Sequence, residues 1–141
     1  MKRWLFMLIL ALSLCCSSIT SNIAYAVEDD YYEEDEEELE LQKEIDEVEN
    51  YKASISKIKC DTQRISLKIK KKSDFNYEVQ YSKYKSFKKK VTKVRVRKPK
   101  YLSAKLSTAT YYVRVRAYKR IDGTTYFGKF SKTKKIKIVQ P

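Results

Sequence analysis

The sequence predicts an all-β chain: an antiparallel β-sandwich of about seven strands, preceded by an acidic leader. Three observations carry this. Beyond Tyr51 the apolar residues recur with a period of two rather than 3.6. Asp122-Gly123 separates two such segments, as in a tight hairpin. Short alternating runs spaced over about 90 residues have the density of strands in a sandwich.

Taken in order, Ile55 and Ile58 suggest an opening strand. Ile65, Leu67 and Ile69 form the next, then Tyr77, Val79 and Tyr81, then Val94 and Val96. Pro99 breaks the chain before Leu102, Ala104 and Leu106. Tyr111, Val113, Val115 and Ala117 make the longest alternation, and Ile136 and Ile138 close the set. One apolar face per strand is the mark of antiparallel sheets with one side in water. Each inward side chain contributes about 1.5–3 kcal/mol on burial. Some fifteen of them offset the ordering entropy of such a domain by a narrow margin.

Residues 1–26 have the layout of a secretory signal peptide. Lys2 and Arg3 are followed by an apolar run over 4–14, and Ala24 and Ala26 stand at −3 and −1 of a cleavage point. A retained membrane anchor is the alternative, but the run is short for a span. Leu14 and Cys15 are poor neighbours for lipidation at Cys15 or Cys16. Cleavage leaves Cys60 alone, so no internal disulfide forms. With no histidine to activate it, it reads as a plain, partly buried thiol.

The rest divides by charge. Residues 28–49 hold 14 acids and one lysine, a net −13. From Asn50 onward only Asp61, Asp74, Glu78 and Asp122 are acidic; 28 of the 31 basic residues lie there, giving +24. The leader, 27–50, is expected to be disordered by self-repulsion. Leu41, Ile45 and Val48, at i, i+4 and i+7, offer one short amphipathic helix over 39–51. The leader is either a solubilising spacer or an internal polyanion that covers the basic domain.

NYEVQYSKYKSFKK (76–89) and TYYVRVRAYKRIDGTTYFGKFSKTKKIKI (110–138) resemble the fibronectin type III domains, immunoglobulin-like sandwiches, of secreted and cell-surface proteins of Gram-positive bacteria. The resemblance covers 51–141. It implies that YEVQY is strand C, that TYYVRVRAY is strand F, and that strands C′, C and F share a sheet. Leu106 and Tyr111 match the family's tyrosine corner, whose phenol hydrogen-bonds backbone near the E–F turn. Phe87 matches the aromatic of the C–C′ loop. Ile69 stands where the family has a strand-B tryptophan, and Phe130 where bacterial members have one before strand G. The E–F loop, Ser107-Thr108-Ala109, is one residue short and lacks the usual glycine.

No catalytic constellation is visible. There is no histidine, the four acids of the domain form no obvious pair, and there is no activated serine and no glycine-rich phosphate loop. No His/Cys cluster suits a metal, and the acidic run lacks the ordered ligand spacing of a calcium loop. The reading is non-enzymatic, with no cofactor. What remains is a basic sheet face that the resemblance assembles from Lys93, Arg95, Arg97, Tyr112, Arg114 and Arg116, with Glu78 as its one acid. Guanidinium forks suit phosphate and carboxylate. The expected role is a secreted, monomeric binding or adhesion module that meets anionic cell-wall polymer. The alternative is a cell-surface protein–protein or spacer module. Export argues against nucleic acid and against a membrane span after cleavage. The bland counterpart is a solvated face in which Arg114 or Arg116 pairs with Glu78.

Overall fold

The computed structural model describes residues 29–140, with side chains from Glu36 onward. The expected signal peptide lies outside the described residues. From Glu37 onward the chain forms one compact unit. The described elements are a helix, α1 (Asp29–Asn50), whose first residues precede that unit, and eight strands: β1 (Ile55–Asp61), β2 (Arg64–Ile69), β3 (Asn76–Ser82), β4 (Thr92–Val96), β5 (Lys100–Leu102), β6 (Ala109–Ile121), β7 (Thr124–Phe127) and β8 (Lys134–Ile138).

Two antiparallel sheets stack into the sandwich. One has the order β1–β2–β5; the other is β4–β3–β6, with β7 and β8 both pairing β6. Ile55, Ile65, Leu67 and Ile69 from the first sheet face Tyr77, Val79, Tyr81, Tyr111, Val113, Val115, Ala117, Ile136 and Ile138 from the second, all buried. These are the period-two residues of the sequence, and their burial drives the stacking.

The hairpins follow their turn residues. β6 and β7 join through Asp122 and Gly123, with φ of 45° and 79°. Positive φ at both central positions is what a type I′ turn needs. β1 and β2 make the same kind of turn through Thr62 and Gln63, at φ 47° and 62°. Neither residue tolerates that region as glycine or asparagine does.

Two expectations for the strands are corrected. The fifth strand has the opposite phase: Tyr101 and Ser103 turn inward, while Leu102 and Ala104 are exposed. Regular pairing stops at Leu102, yet Ser103 N–H still donates to Ile65 O and Leu106 N–H to Gln63 O. The buried Ser103 hydroxyl accepts from Ile65 N–H at 2.8 Å and donates to Ala104 O at 2.7 Å, so a polar residue holds the inward place. Cys60 is exposed, at the end of edge strand β1, rather than partly buried. The sandwich of about seven strands is as expected; its last strand is split into β7 and β8, so that eight segments are distinguished.

The helix is longer than the 39–51 segment expected. Glutamate is a good helix former, and the C-terminal part of α1 is anchored by packing, which isolated helices lack. Val48 is fully buried, and Leu41 and Ile45 pack against the core, so the i, i+4, i+7 stripe faces the sandwich. Just past the helix, Tyr51 lies against Phe75 with ring centroids 4.9 Å apart. Glu44 pairs with Lys119 and Glu47 with Lys72. Lys129 N–H donates to Tyr51 O at 2.8 Å. These contacts lie at the end of the sheet where β3 starts and β6 ends, so the C-terminal part of α1, from Leu41 onward, caps one pole of the sandwich.

Candidate functional site

The registers bring the expected face together. Glu78 on β3 is flanked by Arg95 on β4 and Arg116 on β6; Gln80 is flanked by Lys93 and Arg114; Ser82 lies beside Tyr112. Arg97 follows immediately after β4 and is exposed. Lys135 of β8, opposite Tyr112, extends the face by one more cation. These residues point out because Tyr111, Val113, Val115 and Ala117 point in.

The centre of the face is a network rather than a row of free cations. Arg114 donates to Gln80 Oε1 through Nε at 3.0 Å and Nη2 at 2.9 Å. Gln80 Nε2 donates to Glu78 Oε1 at 2.8 Å. Arg116 reaches the same oxygen, Nε at 3.0 Å and Nη2 at 2.9 Å, and Arg95 Nε stands 4.0 Å from Oε2. Glu78 and Gln80 are thereby buried, at 4% and 3% exposure. A buried carboxylate needs such partners.

Aromatic rings interleave with the guanidinium groups. Arg114 lies 4.1 Å from the Phe87 ring centre and 3.8 Å from that of Phe130. Arg116 lies 3.7 Å from Phe127 and 4.8 Å from Phe130. Arg95 covers Tyr118 and Phe127 at 5.2 and 5.6 Å. Each stack adds cation–π attraction. Burial, and then the nearby charge of Arg116, push the Arg114 guanidinium down from its ordinary value, while Glu78 opposes the shift.

Phe127 and Phe130 come from the break between β7 and β8. Phe127 pairs Tyr118, and Ser131 N–H donates to Val115 O at 2.7 Å. That is four steps on one strand against three on the other, one residue more than a regular ladder. The extra residue lets Phe130 lie on the outer face. Ser131 completes the break by accepting from Val115 N–H at 3.1 Å.

The six expected residues therefore differ in surroundings. Arg114 and Arg116 are half-buried between rings, and Tyr112 is half-buried. Lys93 and Arg97 are exposed, as is Arg95, whose side chain is 56% accessible. Phe127 and Phe130 are members of the face that alternation did not place there. Their signal was the FGKFS run, two phenylalanines around Gly128-Lys129. At the tyrosine corner, Leu106 packs against the core, but the Tyr111 hydroxyl shares its hydrogen bond, 3.0 Å, with the Ser107 hydroxyl and not with backbone. The short E–F loop brings that side chain within reach.

Among the described residues, no group of three or more His, Cys, Asp or Glu side chains could hold a metal, and no helix is long and apolar enough to cross a membrane. The ion pairs of α1 go to Lys72 and Lys119, and none among the described residues goes to the six residues of the face.

A three- and a five-stranded antiparallel sheet packed face to face make this a fibronectin type III or immunoglobulin-like sandwich. No protein-family model matches the chain, and no curated protein matches it. Among solved structures it aligns with a crystal structure of domains A168-A170 from titin, at 14% identity and a TM-score of 0.41. The alignment covers 66% of this chain and 32% of that one.

Proposed function

We propose that this chain is a secreted, non-catalytic binding module that holds phosphate-bearing wall polymer of a Gram-positive cell surface on the outer face of β4–β3–β6. The observation that carries the reading is the charge of that face. Its only acid, Glu78, is buried and already engaged, while Lys93, Arg95 and Arg97 stand exposed along one edge. A domain at +24 is drawn to polyanions over a long range. Arg114 and Arg116 have little plane left for ligand; they hold the face rigid and contribute potential. Rigid cations lose less entropy on binding than free ones.

The helix stripe Leu41/Ile45/Val48, the surface that a protein–protein reading would offer to a partner, is turned to the core instead. That favours the polyanion reading. Its test is the binding of the full chain to isolated anionic wall polymer at low and near-physiological salt. Affinity should fall steeply as salt rises. Salt-insensitive binding, or none at low salt, would refute it and direct the search to protein partners.

A further inference from the structure

The pole of the sandwich opposite α1 holds a cleft of about 390 Å³, lined by Tyr81, Ser82, Lys83, Tyr84, Lys90, Thr92, Leu106 and Tyr111. Its size lies in the range of small-ligand sites, about 300–1,000 Å³. It is placed where β3 ends and β4 and β6 begin; it adjoins the arginine face at Ser82 but is lined by none of Lys93, Arg95, Arg97, Arg114 and Arg116.

The cleft is built around one buried residue. The Ser82 hydroxyl, in a residue 2% exposed, accepts from Tyr84 N–H at 3.1 Å and donates to Lys89 O at 3.0 Å. It thereby pins both ends of the loop that runs from β3 to β4. Phe87 and Lys90 in that loop adopt φ of 53° and 47°. Non-glycine residues enter this region at a cost, and such strain gathers where a loop presents side chains for binding. On the other wall Lys83 Nζ is held 2.9 Å from Ser107 Oγ and 5.7 Å from the Tyr111 ring centre. The loop carries five lysines, Lys83, Lys85, Lys88, Lys89 and Lys90, and no acid.

We infer that this cleft binds a single phosphate-bearing sugar. Lys83 and Lys90 supply the cations for the phosphate. Tyr84, 46% exposed, supplies an aromatic face on which the C–H side of a sugar ring can lie. Ser82 and Tyr111 are spoken for by internal hydrogen bonds; the Thr92 hydroxyl is on the wall to meet a sugar hydroxyl. A simple anion would need the lysines alone, and an apolar ligand would leave them unmatched.

The test is an NMR titration of the full chain with glucose 1-phosphate, its methyl phosphodiester, glucose and inorganic phosphate. Saturable shifts confined to residues 82–92 and 106–111 are expected with at least one ester. Glucose should give none, and phosphate should bind at least about threefold more weakly. Binding by the monoester alone indicates a free sugar phosphate or a chain end; binding by the diester indicates an internal polymer unit. Lys90→Gln and Tyr84→Ala, both at exposed positions, should each weaken binding about fivefold. Lys93→Gln with Arg97→Gln should leave it unchanged, which separates this site from the sheet face. Equal affinity for phosphate and both esters, no saturable shift, or equal loss in the sheet-face variant would overturn the inference.

Discussion

A methyl group added at Gly128 would sit 2.5 Å from the Tyr51 carbonyl oxygen and 2.8 Å from that of Val48. Both are backbone atoms, so the end of α1 would have to move. Gly128→Ala should cost about 1–3 kcal/mol, read as a drop in melting temperature; an unchanged melt would show that the helix end is loosely held. A second prediction concerns alkaline pH. Burial, and then the Tyr81 hydroxyl, raise the Tyr101 phenol well above its ordinary 10.0. Tyr51 is raised too, chiefly by burial, and Lys119 chiefly by the hydrogen bond it donates to the Glu44 carboxylate. The folded chain keeps these protons longer than the unfolded one. Their stabilisation is whole below about pH 10 and lost as pH rises further. Chemical denaturation should show stability falling above that pH, and Tyr101→Phe should flatten part of the fall. An identical pH profile in the variant would contradict this. Single residues were unevenly legible in the sequence. Val113 and Val115 announced their burial by alternation, whereas Cys60 did not announce its exposure, because its place at the end of an edge strand is a property of the whole sheet.

At the scale of elements, periodicity located the strands but left one phase undecided. A slip of one residue exchanges the two faces of a strand. Leu102 and Ala104 look like the core set by hydropathy; Tyr101 and Ser103 hold it because Tyr101 packs against Tyr81 and Ser103 satisfies Ile65 N–H. The outward turn of Phe130 was hidden for a related reason, since one extra residue between Phe127 and Ser131 defeats a period-two count there. The stripe on α1 was legible, but not its target. That target makes the helix conditional: its last turns stand on Val48, with Ile45 and Leu41 beside it. Val48→Asp buries a charge at the capped pole and should cost about 2–4 kcal/mol. Circular dichroism should lose the helical signal while the strand signal persists. A fully retained helix would mean that the glutamate-rich segment is stable without docking.

The whole molecule carries its charges apart, with −13 on residues 28–49 and +24 on residues 50–141. Among the described residues, the acids of the docked helix answer two lysines at one pole, Lys72 and Lys119, and none pairs with the arginine face. The sequence showed how much charge there was and which strands bore it. It could not show that Arg114 and Arg116 stack between rings, since that depends on Phe87 from the β3–β4 loop meeting Phe127 at the end of β7 and Phe130 just beyond it. Nor is positive charge confined to one side, because Lys57, Lys59 and Lys68 are exposed on the other sheet. The most direct measurement therefore compares two charge-matched variants in binding to phosphate-bearing wall polymer at near-physiological salt. One carries Lys93→Gln, Arg95→Gln and Arg97→Gln; the other carries Lys57→Gln, Lys59→Gln and Lys68→Gln. If the face of β4–β3–β6 is the binding surface, the first loses affinity about tenfold or more and the second about threefold or less. Equal losses would contradict the account and leave net charge as the only attraction.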